Sequence, residues 1–170
     1  TRIPPHNIRE VADAITALID NPEIEFPELM DHIKAPDFPT GGVIQGVQGV
    51  QMAYRTGRGS IQLRARTHVE ERKDGRENVV VTEIPFLIDK STLLEKMAAL
   101  VRNKTIEDAT NIRDESGRDG MRIVIELKRS AQSEVVLNQL FSHSMLQTTF
   151  GVMMLAVVKG RPEILNLKQV

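Results

Sequence analysis

Arg55, Arg58, Arg64 and Arg66 crowd one short stretch, and their type and spacing suit them to phosphate chemistry. A guanidinium offers parallel N–H donors that match two phosphate oxygens, and it holds its charge at any physiological pH. Arg55 and Arg58 flank Gly57, with Gly59 beyond, and glycine allows backbone to approach a bulky ligand. Arg64 and Arg66 lie two apart, so on a strand they share a face. The four would form one track for a polyanion. The plainer alternative is a solvated face whose arginines pair with Glu70 or Glu83. Arg118, Arg122, Lys128 and Arg129 form a second group, diluted by Glu126, which shares a face with Arg122 and Lys128.

Other chemistries find less support. Tyr54 is the one tyrosine and so the one candidate tyrosyl nucleophile, yet an isolated Tyr reads as a packed residue with its hydroxyl bonded at the surface. His6, His32, His68 and His143 show no spacing that would assemble a metal site. Asp114, Glu115 and Asp119 surround a turn, but Arg118 stands where a calcium loop needs an oxygen ligand and Gly120 comes one residue late. A hairpin loop is expected there. Gly57-Arg58-Gly59 lacks the third glycine of a dinucleotide fingerprint, and no Gly-Lys-Ser or Gly-Lys-Thr occurs, so ATP is not expected to bind.

Composition narrows the classes further. With 41% hydrophobic and 26% charged residues over 170 positions, the chain fits a globular class with one main core and excludes a disordered one. Aromatic residues are only 4% and Trp is absent, so a base-stacking platform for single strands is not expected. The net charge of −1 gives no overall pull toward phosphate, and a nucleic-acid surface must be a local patch. The absence of Cys removes thiolate chemistry and fits a reducing cytoplasm, and no apolar run is long enough to read as a membrane span.

These residues must be positioned by regular elements. Ile8, Val11, Ala12, Ile15, Leu18 and Ile19 predict a helix over 7–21 capped by Asn7, and Leu29, Met30 and Ile33 a short second one. Residues 36–49 read as a bent connection, and 50–54 as a helical turn stopped by Gly57 and Gly59. From Ser60 the period becomes two, predicting a strand that buries Ile61, Leu63, Ala65, Thr67 and Val69 and presents a cationic outer face. Lys73-Asp74-Gly75-Arg76 turns it into a partner strand over 79–84. A helix follows, with Thr92 and Glu95 spaced as a capping box. Strands over 109–114 and 121–128, a helix around 136–141, a strand over 148–158 and a last one over 163–167 complete the order. Two strand-strand-helix units in succession predict an α+β fold, a two-layer sandwich of a mostly antiparallel sheet with helices on one face, plus short N-terminal helices. The expected division is 1–40, helical, and 41–170, the α+β domain.

The runs Thr1-Arg2-Ile3-Pro4-Pro5-His6-Asn7, Pro36-Asp37-Phe38-Pro39-Thr40, Tyr54-Arg55-Thr56-Gly57-Arg58-Gly59, Arg113-Asp114-Glu115-Ser116 and Asp119-Gly120-Met121-Arg122-Ile123-Val124-Ile125-Glu126 occur in order along the whole chain. In them the sequence resembles the breakage-reunion subunit of bacterial type IIA DNA topoisomerases, the DNA gyrase branch more closely than the topoisomerase IV branch. The resemblance implies an excised segment, the tower domain, with residues 1–40 leading from a winged-helix domain that bears the active tyrosine. It assigns Tyr54 no catalytic role. It implies that Arg55, Arg58, Arg64, Arg66, Arg118 and Arg122 include contacts to the backbone of bent double-stranded DNA. Magnesium and ATP are implied on the partner subunit, in a cytoplasmic heterotetramer of two such subunits and two ATPase subunits, away from any membrane. Expected alternatives are the corresponding segment of topoisomerase IV, or a non-enzymatic α+β module whose exposed apolar patch binds protein.

Overall fold

A computed structural model describes residues 2–170; Thr1, first residue of the opening run, lies outside the described residues. The elements run α1 (Ile8–Asp20), α2 (Phe26–His32), β1 (Val43–Gln45), α3 (Gln48–Thr56), β2 (Arg58–Arg64), β3 (Arg66–Glu71), β4 (Glu77–Glu83), α4 (Lys90–Arg102), β5 (Ala109–Asp114), β6 (Ile123–Leu127), α5 (Ser133–His143), β7 (Gln147–Met153), β8 (Leu155–Val158) and β9 (Arg161–Ile164). Their sheets have the orders β1-β2-β7, β3-β4-β6-β5 and β8-β9, and the chain is α+β.

Two compact units divide the chain, but not at a single point near residue 40. Unit 1 takes residues 1–39, 44–62 and 149–170, and unit 2 takes 40–43 and 63–148. Hydrophobic period reports which face of a strand is buried, not which partner it meets.

In unit 2 the β3-β4-β6-β5 sheet is antiparallel throughout, with Val79 opposite Val69 and Ile125, and Ile112 opposite Ile125. The two predicted strand-strand-helix units are thus β3-β4-α4 and β5-β6-α5, with their second strands adjacent. Val79, Val81, Ile123, Ile125 and Leu127 face Leu93, Met97 and Leu100 of α4 and Val136 and Leu140 of α5 in one sealed core. This is the two-layer sandwich. Cutting Leu93 or Leu140, both fully buried, back to alanine costs about 2–5 kcal/mol by comparison with other cores. The helix α4 begins a turn before the predicted box, since Asp89 is its cap and Oδ2 accepts from the Thr92 backbone N–H at 2.8 Å.

In unit 1, Asn7 caps α1 as its position predicts, accepting from the Arg9 and Glu10 amides at 3.0 and 3.3 Å. The predicted bent connection contains β1 and the start of α3. Gly57 ends α3 at φ 76°, a left-handed conformation that glycine adopts without a Cβ clash. Two predicted strands are each broken in the middle by a buried residue whose amide turns elsewhere. Ala65 N–H donates to Leu146 O at 2.7 Å, separating β2 from β3 within unit 2, and Met154 N–H donates to Gly57 O at 2.8 Å, separating β7 from β8 within unit 1.

Candidate nucleic-acid interface

Arg55 lies on the last turn of α3, where its guanidinium carbon sits 4.9 Å from the centre of the Phe26 ring. Such a stack fixes the plane of the cation while leaving N–H edges for another acceptor. Arg58 opens β2 and is exposed, and among the described residues no ion pair or hydrogen bond engages its guanidinium. Gly59 departs from its expected role. A Cβ there would stand 2.8 Å from both Ala53 N and Gly49 O, so the glycine serves close packing of β2 on α3 rather than approach to a ligand.

The other charges of unit 1 divide unevenly. Helices α1 and α2 carry Glu10, Asp13, Asp20, Glu28 and Asp31 against Arg9, whereas residues 44–62 and 149–170 carry Arg55, Arg58, Lys159, Arg161 and Lys168 against Glu163. Lys168 is committed, donating to Ile24 O at 3.1 Å.

Tyr54, beside Arg55 on α3, is fully buried. Its hydroxyl does not reach the surface as expected but bonds His6 Nε2 at 2.7 Å, while His6 Nδ1 meets Pro4 O at 2.8 Å. A carbonyl can only accept, so Nδ1 carries the proton and Nε2 accepts from the phenol. Burial pushes the His6 pKa down and the Tyr54 pKa up, which keeps both neutral. This is a structural clamp on the Pro4-Pro5 run. The bond to Tyr54 was not legible, since nothing in a spacing of 48 residues announces it.

In unit 2 the structure corrects the cationic strand face. Arg64 is half-buried, stacked 4.7 Å from the Phe141 ring centre with Nε donating to Gln147 Oε1 at 2.6 Å. Arg66, on the next strand, meets Glu83 at 2.9 Å, and that carboxylate also accepts from Gly42 N–H at 2.6 Å. The Gly42 amide and then Arg66 hold Glu83 below the usual glutamate range. Arg66 remains 57% exposed, so this pair contributes little and can exchange its partner.

Arg122 is fully engaged. It forks onto Glu70 and reaches Glu115 at 3.8 Å, while Arg113 bridges Glu115 and Glu126 and Arg72 joins Glu126. The hydrogen bond from Arg122, and then that from His68, bring the Glu70 pKa down to about 2. Strand alternation puts this lattice on the same face as Val80 and Val124, both fully buried on the side away from the helices. The outer face is therefore charge-balanced rather than cationic. Asn78 lies in register between Glu70 and Glu126, and its sealed Oδ1 meets no partner among the described residues. Arg118 is exposed on the β5–β6 loop, and among the described residues no ion pair engages it.

The acidic loop does not fit a divalent cation. Asp114 turns to Lys90 at 2.8 Å and to the Ser116 amide at 3.0 Å, which brings its pKa down to about 2, and Glu115 meets Arg113 and Arg122. Among the described residues no group of three or more His, Asp or Glu side chains is placed to hold a metal, and no helix is long and apolar enough to cross a membrane.

The six arginines singled out in the sequence thus fall into two free residues, Arg58 and Arg118, and four engaged ones. Arg55 and Arg58 belong to unit 1 and the others to unit 2.

The family model for the A subunit of DNA gyrase/topoisomerase IV matches residues 1–170. The DNA gyrase A subunit of Clostridium acetobutylicum is 54% identical over 170 residues, covering 100% of this chain and 20% of the relative. The protein of that name from Halalkalibacterium halodurans is 53% identical over 169 residues, covering 99% and 20%, and that from Rickettsia bellii 50% identical over 170 residues, covering 100% and 19%. The chain spans about a fifth of the length of the curated relatives it matches. With a match that runs unbroken beneath the Pro4-Pro5-His6 clamp, the arginine turn and the paired hairpins alike, the chain belongs to the family of DNA gyrase and topoisomerase IV A subunits.

Proposed function

We propose that this chain is a segment of the gyrase A subunit that supports double-stranded DNA while another part of the same polypeptide breaks and rejoins it. The observation that carries this reading is the unengaged Arg58 guanidinium beside the ring-stacked Arg55, in the part of unit 1 where cations outnumber carboxylates. Contacts of this kind go to phosphate oxygens and tolerate any base sequence. Tyr54 supplies no nucleophile, since it is sealed and bonded to His6.

The parent enzyme, in this reading, links a tyrosine to a DNA phosphate, passes a second duplex through the gap and reseals it at the expense of ATP, giving supercoiling. It works in the cytoplasm as two such subunits with two ATPase subunits, which hold the magnesium and the nucleotide. Among the described residues no cluster of carboxylates is placed to hold that metal. Arg118 and the exchangeable Arg66 are further phosphate contacts.

The test is duplex binding by the full-length parent protein over a salt series. Arg58→Gln should lower the slope of log affinity against log salt by about one. An unchanged slope would return Arg58 to the solvated surface.

A further inference from the structure

The β8–β9 hairpin of unit 1 is built to present its tip. Lys159 and Gly160 both hold positive φ, 49° and 81°, giving the two-residue turn that matches strand twist. A lysine in that conformation is uncommon, since Asn or Gly suits it better. Val158 pairs with Arg161 directly below the turn, and Ala156 with Glu163. Lys159 and Arg161 are exposed, and among the described residues neither makes an ion pair; Glu163 shares the Arg161 face without reaching it.

The opposite face carries Val157, 75% exposed, beside Pro162. A lone two-stranded ribbon is marginal in water, and this one is tied at its base. Leu165 N–H donates to Met154 O at 2.9 Å, and Met154 N–H to Gly57 O at 2.8 Å. Gly57 is the glycine between Arg55 and Arg58. The hairpin is therefore anchored on the same turn that carries those two cations.

We infer that the β8–β9 hairpin is a second grip on duplex DNA, with Lys159 and Arg161 on backbone phosphates, continuous with the Arg55–Arg58 turn. Charge complementarity selects this occupant: two unpaired cations at the tip of an arm fit a polyanion, and the exposed Val157 and Pro162 match the apolar surfaces that ribbon-type binders place against the duplex. The inference rests on the DNA-supporting reading given above.

The experiment uses the full-length parent protein and a blunt duplex of mixed sequence over a salt series. Lys159→Asn keeps a residue that tolerates the turn, and Arg161→Gln leaves the turn untouched. Each should lower the salt slope by about one, and together by about two, with an unchanged melting curve. If Arg58→Gln lowers the slope and the hairpin variants do not, the hairpin is not a DNA grip and the DNA-supporting reading stands. If none of the three changes it, that reading falls as well. If the hairpin variants weaken assembly of the enzyme but not the slope, the arm meets an acidic protein surface and the inference is overturned.

Discussion

Arg122 grips Glu70 with two parallel bonds, Nη1 to Oε1 at 2.8 Å and Nη2 to Oε2 at 2.6 Å, joining residues 52 apart in sequence across the outer face of a sheet. The fork makes Glu70 a harder carboxylate to protonate in the folded chain than in the unfolded one. Its stabilising effect is present above the ordinary value of 4.5 and is lost as pH falls toward about 2. Asp114, held by Lys90, adds to the same acid limb between 3.8 and about 2. Both groups are about a third exposed, so solvent screens the gain. Glu70→Gln should flatten the fall in stability between pH 4.5 and about 2, as read by urea melts at several pH values. An equally steep acid limb in the variant would show that the fork contributes nothing.

The His6–Tyr54 clamp predicts a different pH window. Because burial lowers the His6 pKa, the unfolded chain takes up the proton first as pH drops below 6.5. Stability is complete above that value and declines below it. Tyr54→Phe should cost about 1–2 kcal/mol by leaving Nε2 without its donor in a half-buried site. A phenylalanine variant as stable as the parent would demote the hydrogen bond to a bystander.

Asn78 offers a gain rather than a loss. Its Oδ1 is sealed with no partner, and the residue sits on a strand, where a β-branched side chain fits well. Asn78→Val should raise stability by about 1 kcal/mol. Thermal unfolding decides this, and a clear drop would mean that bound water satisfies the amide.

Arg64 and Arg58 should separate cleanly. Arg64→Ala removes a ring stack and a 2.6 Å bond to Gln147, so it should lower stability by about 1 kcal/mol and leave the salt slope of DNA binding as it was. Arg58→Gln should do the reverse. Calorimetry with a binding titration on both variants checks the pair, and a slope change from Arg64 would put that residue back on the DNA.

Much of the frame was legible because local chemistry dictates it. Asn7 caps α1, the Asp74-Gly75 turn joins β3 to β4, and Gly57 stops α3, each through bonds within a few residues. The breaks at Ala65 and Met154 were not legible, because neither position interrupts an apolar run and only the distant acceptors, Leu146 O and Gly57 O, end the ladder. For the same reason the arginines read as one track. Phe141 and Gln147, which take Arg64, are set by tertiary register, whereas Glu83 and Glu70, which take Arg66 and Arg122, are the partners that the plainer alternative named. The burial of Val80 and Val124 also escaped the pattern, since they share their face with charged residues and that face reads as solvated.

Arg72, Arg113 and Arg122 alternate with Glu70, Glu115 and Glu126 in one lattice of opposite charges. Opposite charges a few ångströms apart cancel, so beyond about 8 Å at physiological salt a drifting polyanion feels almost no field from that sheet. Among the described residues Arg58, Lys159 and Arg161 make no ion pair, and in the proposed reading they would govern long-range steering and thus the direction from which a duplex arrives.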